Sequence, residues 1–392
     1  MFRLSSLLIL LVGIMTCAQA AEEASNAVEE ASNAVEEASN TGEKASNAVV
    51  DLSSLLKMDS LIEQVADKQV IYVGESHNQY QHHLNQLEVI KGMHARHPEL
   101  AIGLEFFFQP FQAALDRYVA GEIEEEELLR ETEYFDRWHF DYRLYRPIFL
   151  YAREQGIPLI ALNLEKEITR KVATEGVDSL SEEQKARLPK EIERENEDYT
   201  ARIQETYNMH PPGKRSNFEN FLEVQLLWDE GMAERAATWL QAHPDGYMVI
   251  LAGVGHLVYR QGIPDRLQRR IPVSSAVILN VSLLGELDTE VADYLVMATG
   301  EELPPAGKMG VFLDLEHSPP RIKGFGESSG AAKAGMKKGD RLLSIDGNAI
   351  SNYTDIRIAL LDKAVGDTVE VEVERKRLLL GTHRKKMTVT LN

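Results

Sequence analysis

Two stretches of this sequence end an apolar run in the same way. Val70-Ile-Tyr-Val73 runs into Gly74-Glu-Ser-His77, and Met248-Val-Ile-Leu-Ala252 runs into Gly253-Val-Gly-His256. One Gly-x-x-His is a weak signal, because a strand-end glycine followed by a polar capping residue is common. The repetition is what raises it. A third run, Ala101-Ile-Gly-Leu, closes on Glu105. Glu75, His77, Glu105 and His256 therefore offer two imidazoles and two carboxylates. His77, Glu105 and His256 suit a borderline divalent metal completed by water, which would turn that water into a nucleophile. The same groups suit acid/base work without a metal. Taken singly, each has a plainer use: the carboxylates as helix caps, the imidazoles as partners for buried backbone. All four together at strand ends point to a site.

The elements that must position them follow from hydropathy. Runs at 70–73, 101–105, 158–162, 247–252 and 275–281 predict buried strands. Helical periodicity predicts helices over 79–97, 110–119, 144–155, 182–207 and 216–242. Such alternation predicts an α/β fold, a mostly parallel sheet with flanking helices, and strand ends are where its ligands sit. Residues 165–215 are charged and strandless, and they read as a helical insertion or lid. On the first helix, His82 and Gln86 share a face, which either points at the site or is solvated. Trp138, Tyr142 and Tyr145 read as core. Tyr207, Met209 and His210, at the end of the insertion, include three residue types that ligate haem iron.

The 392-residue chain is 44% hydrophobic and 27% charged, with a formal net charge of −20. That balance argues against non-specific nucleic-acid binding. The charge is uneven: from Ala306 onward there are 15 Lys and Arg against 11 Asp and Glu. A basic module on an acidic protein predicts a boundary near residue 305, and 299–308 read as a Pro/Gly linker. Residues 1–20, with Arg3, an apolar run from Leu7 to Met15 and Ala18-Gln-Ala20, have the form of a secretory signal. The single cysteine, Cys17, offers a lipoprotein route instead, although Thr16 fits a lipobox poorly. Residues 21–50 carry four seven-residue units based on Glu-Glu-Ala-Ser-Asn-Ala-Val. Alanine seams bury little and Ser-Asn weakens helix, so they read as an acidic spacer.

The motifs in order carry a resemblance. Gly-Glu-Ser-His77 with His83 and Gln86, Gly-Leu-Glu105-Phe-Phe, Trp138 to Tyr145-Arg-Pro, and Ile-Ala-Leu-Asn163 resemble the ChaN-like haem-binding lipoproteins of the Tiki superfamily. Phe221 through Gln225-Leu-Leu-Trp-Asp229 to Met232, and Gly-Val-Gly-His256 through Gly262-Ile-Pro-Asp-Arg266, continue it over 51–298. The resemblance implies an exported haem binder of the bacterial periplasm or outer membrane, linked to iron acquisition. His77, His256, Tyr207 and His210 are the candidate haem ligands. The superfamily also includes erythromycin-esterase-like enzymes and metal-dependent proteases. A metal-dependent hydrolase using Glu75, His77, Glu105 and His256 is therefore the alternative.

Residues 309–392 resemble a bacterial PDZ domain, a small β-rich α+β fold, through Gly330-Ala-Ala-Lys-Ala-Gly-Met-Lys-Lys-Gly-Asp to Asp346-Gly347 and Gly366-Asp-Thr-Val. Met309, Gly310, Val311 and Phe312 sit where such domains place the loop that captures a peptide carboxylate. The partners implied are haem and a protein bound through the PDZ module. Internal docking of that module is the competing use. A membrane enters only through a lipid anchor, and a homodimer is open.

Overall fold

Met58–Val65 form helix α1, and the apolar run after it, Val70–Glu75, is strand β1, buried over its whole length. The computed structural model describes residues 54–211, 217–281, 288–297, 300–377 and 381–392. The expected signal (1–20) and heptad spacer (21–50) lie outside them. Along the chain follow α2 (Tyr80–His94), β2 (Leu100–Phe108), α3 (Gln112–Val119), α4 (Glu125–Glu131), α5 (Tyr134–Arg137) and α6 (Arg146–Gln155). Next come β3 (Leu159–Asn163), α7 (Lys166–Glu175), α8 (Glu182–Lys185), α9 (Glu197–Met209), α10 (Phe218–Ala242), β4 (Tyr247–Gly253), α11 (Ile263–Arg270), β5 (Ser275–Val281) and β6 (Tyr294–Met297).

The chain divides into two compact units. The first holds the described residues up to Ile123 together with Leu144–Glu301. The second holds Glu124–Arg143, which carries α4 and α5, together with Glu302–Asn392.

In the first unit the strands pair in parallel in the order β3-β2-β4-β1-β5-β6. Helices on the faces bury both sides of the central strands, which explains their unbroken apolar sequences. The predicted strands are all present; β6 is an addition. The single helix expected over 182–207 is instead two, α8 and α9. Pro189 lies between them, and proline cannot sit in a helix interior without removing a hydrogen bond. The Asn196 side chain then caps α9 by accepting from the Tyr199 N–H at 2.9 Å. The insertion is not a loose flap: Leu164, Ile168, Val172, Leu180, Val224 and Leu227 pack it down as one apolar cluster.

The second unit is an antiparallel sheet. Its strands are β7 (Val311–Asp314), β8 (Arg321–Phe325), β9 (Arg341–Ile345), β10 (Asn348–Ala349), β11 (Thr368–Arg377) and β12 (Gly381–Thr390). Their order is β12-β11-β9-β8-β7, with β10 on β9. Two helices, α12 (Gly330–Lys333) and α13 (Tyr353–Ala359), complete it, α13 starting in a capping box between Asn352 and Asp355. Ile322, Leu342, Ile345, Ile356, Val369, Val371, Val373 and Val389 are among its core. The β-rich α+β expectation is met.

Candidate functional site

Glu75 ends β1, Glu105 lies on β2, and His256 follows β4 in a 3-10 turn over Val254–His256. Because β4 runs between β1 and β2, these groups converge, as their positions in the sequence predict. His77 is held first: its Nδ1 lies 2.7 Å from Glu75 Oε1. The other Glu75 oxygen is 2.8 Å from His83 Nδ1, and the Tyr145 hydroxyl donates to Glu75 Oε1 at 3.1 Å. Gln86 completes this shell by donating to Val73 O at 3.0 Å while its Oε1 faces His83 Nδ1 at 3.1 Å.

A second chain of contacts serves His256. Its Nδ1 is 2.6 Å from Asp229 Oδ1, and its Nε2 is 3.4 Å from Glu105 Oε1. Tyr199 donates to the other Asp229 oxygen at 2.7 Å, and the Gly253 N–H donates to Glu105 Oε2 at 2.5 Å. The Arg266 guanidinium covers the Tyr199 ring at 4.3 Å, and Arg202 donates to Gly255 O at 3.0 Å. Gly253 is required: a Cβ there would stand 2.9 Å from His77 Cε1. It is the point where the two histidine systems meet.

The electrostatics follow from burial and pairing. Burial opposes the charge on His256, but Glu105 and Asp229 outweigh it and push its pKa up to about 10. His77 is raised too, burial again being overcome, here by the Glu75 hydrogen bond and the Glu105 charge. Desolvation of Glu75, Glu105 and Asp229 is more than offset by the facing imidazoles, which hold all three carboxyls below their usual range. His256 is thus an imidazolium between two carboxylates. In that form it can donate protons.

Among the described residues no group of three His, Cys, Asp or Glu is arranged to hold a metal ion. The donors of His77, Glu105 and His256 are turned onto one another or onto Glu75 and Asp229. Glu75 does not cap α2, which has no side-chain cap, and Glu105 lies within β2 rather than at a helix start. Both His82 and His83 are buried rather than solvated. His83 serves Glu75, and the Nδ1 of His82 accepts the Ser76 N–H at 2.9 Å. Tyr142 and Tyr145 are fully buried, but Tyr145 is a site residue as well as a core one. Asp229 and Tyr199 were missed as members. A signal existed: Asp229-Glu230 interrupts the apolar face of α10, and buried acids demand partners.

Tyr207 and His210 form a separate group at the far end of α9. Eight residues beyond Tyr199 is about 12 Å along a helix. The Tyr207 ring is 5.3 Å from Phe218 and 5.5 Å from Phe221, and the His210 ring is 5.4 Å from Phe221. Met209 beside them is 41% exposed. His210 Nδ1 lies 3.0 Å from Thr206 O.

The candidate peptide loop belongs to the second unit. Met309 is buried and its carbonyl accepts the Ala331 N–H at 3.0 Å, while Gly310 O accepts the Gly326 N–H at 3.0 Å. In trans peptides the following N–H groups, of Gly310 and Val311, point the opposite way. Gly310 has φ +71°, a conformation suited to glycine. Phe312 is 47% exposed on β7, the edge strand of the sheet.

The fold and this site define an α/β protein with a polar, histidine-bearing centre at its strand ends, joined to a PDZ domain. Residues 61–267 match the family described as haem-binding uptake, Tiki superfamily, ChaN, and 307–391 match the PDZ domain. The chain belongs to that ChaN family. ChaN of Campylobacter jejuni, solved with cofacially bound haem, is similar at 17% identity and a TM-score of 0.51 over 62% of this chain and 93% of that one. An erythromycin esterase in its open conformation is similar at 15% identity and a TM-score of 0.36, over 56% and 72%. Protein RETICULATA-RELATED 5, chloroplastic, of Arabidopsis thaliana is 26% identical in an alignment of 258 residues that covers 59% of this chain. The chain spans about a third (34%) of that relative's length.

Proposed function

We propose that this is an exported haem-binding protein of haem uptake, which holds haem at the far end of the α9–α10 pair and binds a partner's peptide C-terminus through its PDZ domain. The observation carrying the haem position is the His210 ring, fixed through Nδ1 on Thr206 O. A ligating histidine needs this second contact to set its tautomer and orientation. Tyr207 is a second oxygen donor, and Phe221 with exposed Met209 gives the apolar surface a porphyrin face needs. The strand-end histidines fit haem less well, because His256 has both nitrogens committed to carboxylates and His77 is wedged against Gly253. Haem, when bound, supplies the iron centre; the chain supplies donors, an apolar seat and a fixed imidazole.

Haemin titration followed by absorption spectroscopy tests this. His210→Ala and Tyr207→Phe should alter the Soret band and weaken binding at least tenfold, whereas His77→Ala should leave both near wild type. Loss of haemin binding in His77→Ala alone, with His210→Ala unaffected, would move the ligand site to the strand ends.

A second reading is favoured by one observation: two histidines, each held by a carboxylate at Nδ1, lie together at the strand ends. That is the geometry of an acid/base pair. Hydrolysis of ester or peptide panels, abolished by Glu105→Gln, would establish it. Export is supported by the residue 1–20 pattern. Envelope material should have an intact mass that begins at Ala21 or at a lipid-bearing Cys17.

A further inference from the structure

Two buried guanidiniums of the first unit pack against Tyr199. Arg202, on α9, has its Cζ 5.1 Å from the ring centre, and Arg266, on α11, lies at 4.3 Å. Their exposures are 8% and 1%. Arg202 donates through Nε to Gln261 Oε1 at 2.9 Å and through Nη1 to Gly255 O at 3.0 Å. Arg266 donates through Nη1 to Gln261 O and, at 3.2 Å, to Gly262 O. The two therefore meet at Gln261, on the turn that follows His256. Each keeps a buried Nη2 that has no hydrogen-bond partner.

Charge is as incomplete here as hydrogen bonding. Buried arginines are normally paired with carboxylates. Among the described residues Arg202 has no such pair, and both of its acceptors are neutral. Asp229 acts on it from a distance but is committed to Tyr199 and His256. Arg266 has Glu230 at 3.3 Å, yet that carboxylate is shared with Arg269 at 2.8 Å and Arg270 at 2.6 Å. Ordered water would satisfy the two Nη2 groups, but it does not neutralise a buried cation. What remains is an uncompensated positive charge and two donor nitrogens, which match a monoanion with two oxygens.

We propose that Arg202 and Arg266 form a carboxylate-binding site beside Tyr199 and the His256 turn. Ala201 and Glu205, next to Arg202 on α9, are exposed, so the pair lies just below the surface. The carboxylate has two sources. A haem seated at Tyr207 and His210 carries propionates, and Tyr207 is about 7.5 Å beyond Arg202 along α9. A smaller acidic ligand would instead bring its carboxylate to the strand-end histidines.

The test uses the full chain, melted in sodium propionate or benzoate against sodium chloride at equal ionic strength. It is also titrated with haemin and with haemin dimethyl ester, whose propionates are blocked. The carboxylate salts should raise the melting midpoint above its value in chloride. Arg202→Gln should abolish that rise, whereas Arg202→Lys, which keeps the charge but not the fork, should retain a smaller one. If Arg202→Gln moves the midpoint in every salt alike and the rise survives, the arginine is structural and the proposal is overturned. Haem as the source requires haemin to bind about tenfold or more tightly than its ester, with the preference lost in Arg202→Gln. Equal binding of the two, with the salt response intact, assigns the site to a smaller acid. If haemin does not bind, the haem reading fails and the salt response decides this site alone. Should Arg202→Gln not fold, wild type still decides. No stabilisation by carboxylates and no preference for haemin over its ester would sink the site.

Discussion

His256 keeps its proton between Asp229 and Glu105, while His82 is held without one, its Nδ1 accepting from Ser76 N–H. The two therefore pull stability in opposite directions with pH. The folded pKa of His256, about 10, lies above its unfolded value. Its contribution is complete below the unfolded pKa and drains away as pH rises through 10. Burial lowers His82 to about 4, so its contribution is present above the unfolded value and lost as pH falls toward 4. Urea melts should place the stability maximum near neutrality, with His82→Gln flattening the acid limb and His256→Gln the alkaline one. Asp229→Ala leaves a buried imidazolium facing one distant carboxylate. It should destabilise the first unit by about 3–5 kcal/mol, read from urea melts at pH 7. An unchanged midpoint would mean that Tyr199 and Arg266 rearrange to cover the loss.

At the scale of elements, Gly253 sets how closely β4 can approach the loop after β1. Gly253→Ala should cost about 1–3 kcal/mol through overpacking and displace the His77 ring, visible as a shifted imidazole resonance. Much of this was legible in the sequence. Apolar runs place β1, β2 and β4. The polar residues that close those runs, Glu75, His77, Glu105 and His256, group together because parallel strands deliver their ends to one edge. Tyr199 and Tyr145 were not legible as members, and Asp229 showed only as an acid on a buried helix face in need of a partner. Their places depend on how α6, α9 and α10 lean over that edge, which helical periodicity does not encode. The protonation of His256 was hidden for the same reason, since it requires Asp229.

For the whole molecule, the least legible feature is the excursion. Nothing in 124–143 differs in pattern from neighbouring helices, so the sequence reads as one continuous first domain. The structure assigns those residues to the PDZ-bearing unit, where Leu128, Leu129, Tyr134, Phe135 and Tyr142 are buried. Residues 302–392 expressed alone should therefore expose Ile358 and Leu361 and bind a hydrophobic dye more strongly than the full chain does. They should also melt earlier, an effect reversed by supplying a 124–143 peptide. Equal dye binding would show that the PDZ residues close over this face by themselves.

The position of β1 bears on how the protein is made. Among the described strands it comes first in the chain, yet its two neighbours are β4 and β5, with Val70 registered against Met248 and Ser275. A ribosome has therefore released most of the chain before the strand carrying Glu75 acquires either flank, and α4 and α5 wait still longer for their own partners. Such long-range pairing is slow and leaves strand edges open meanwhile. The export proposed above would turn that delay to use: the polar centre could close only after most of the chain had been threaded.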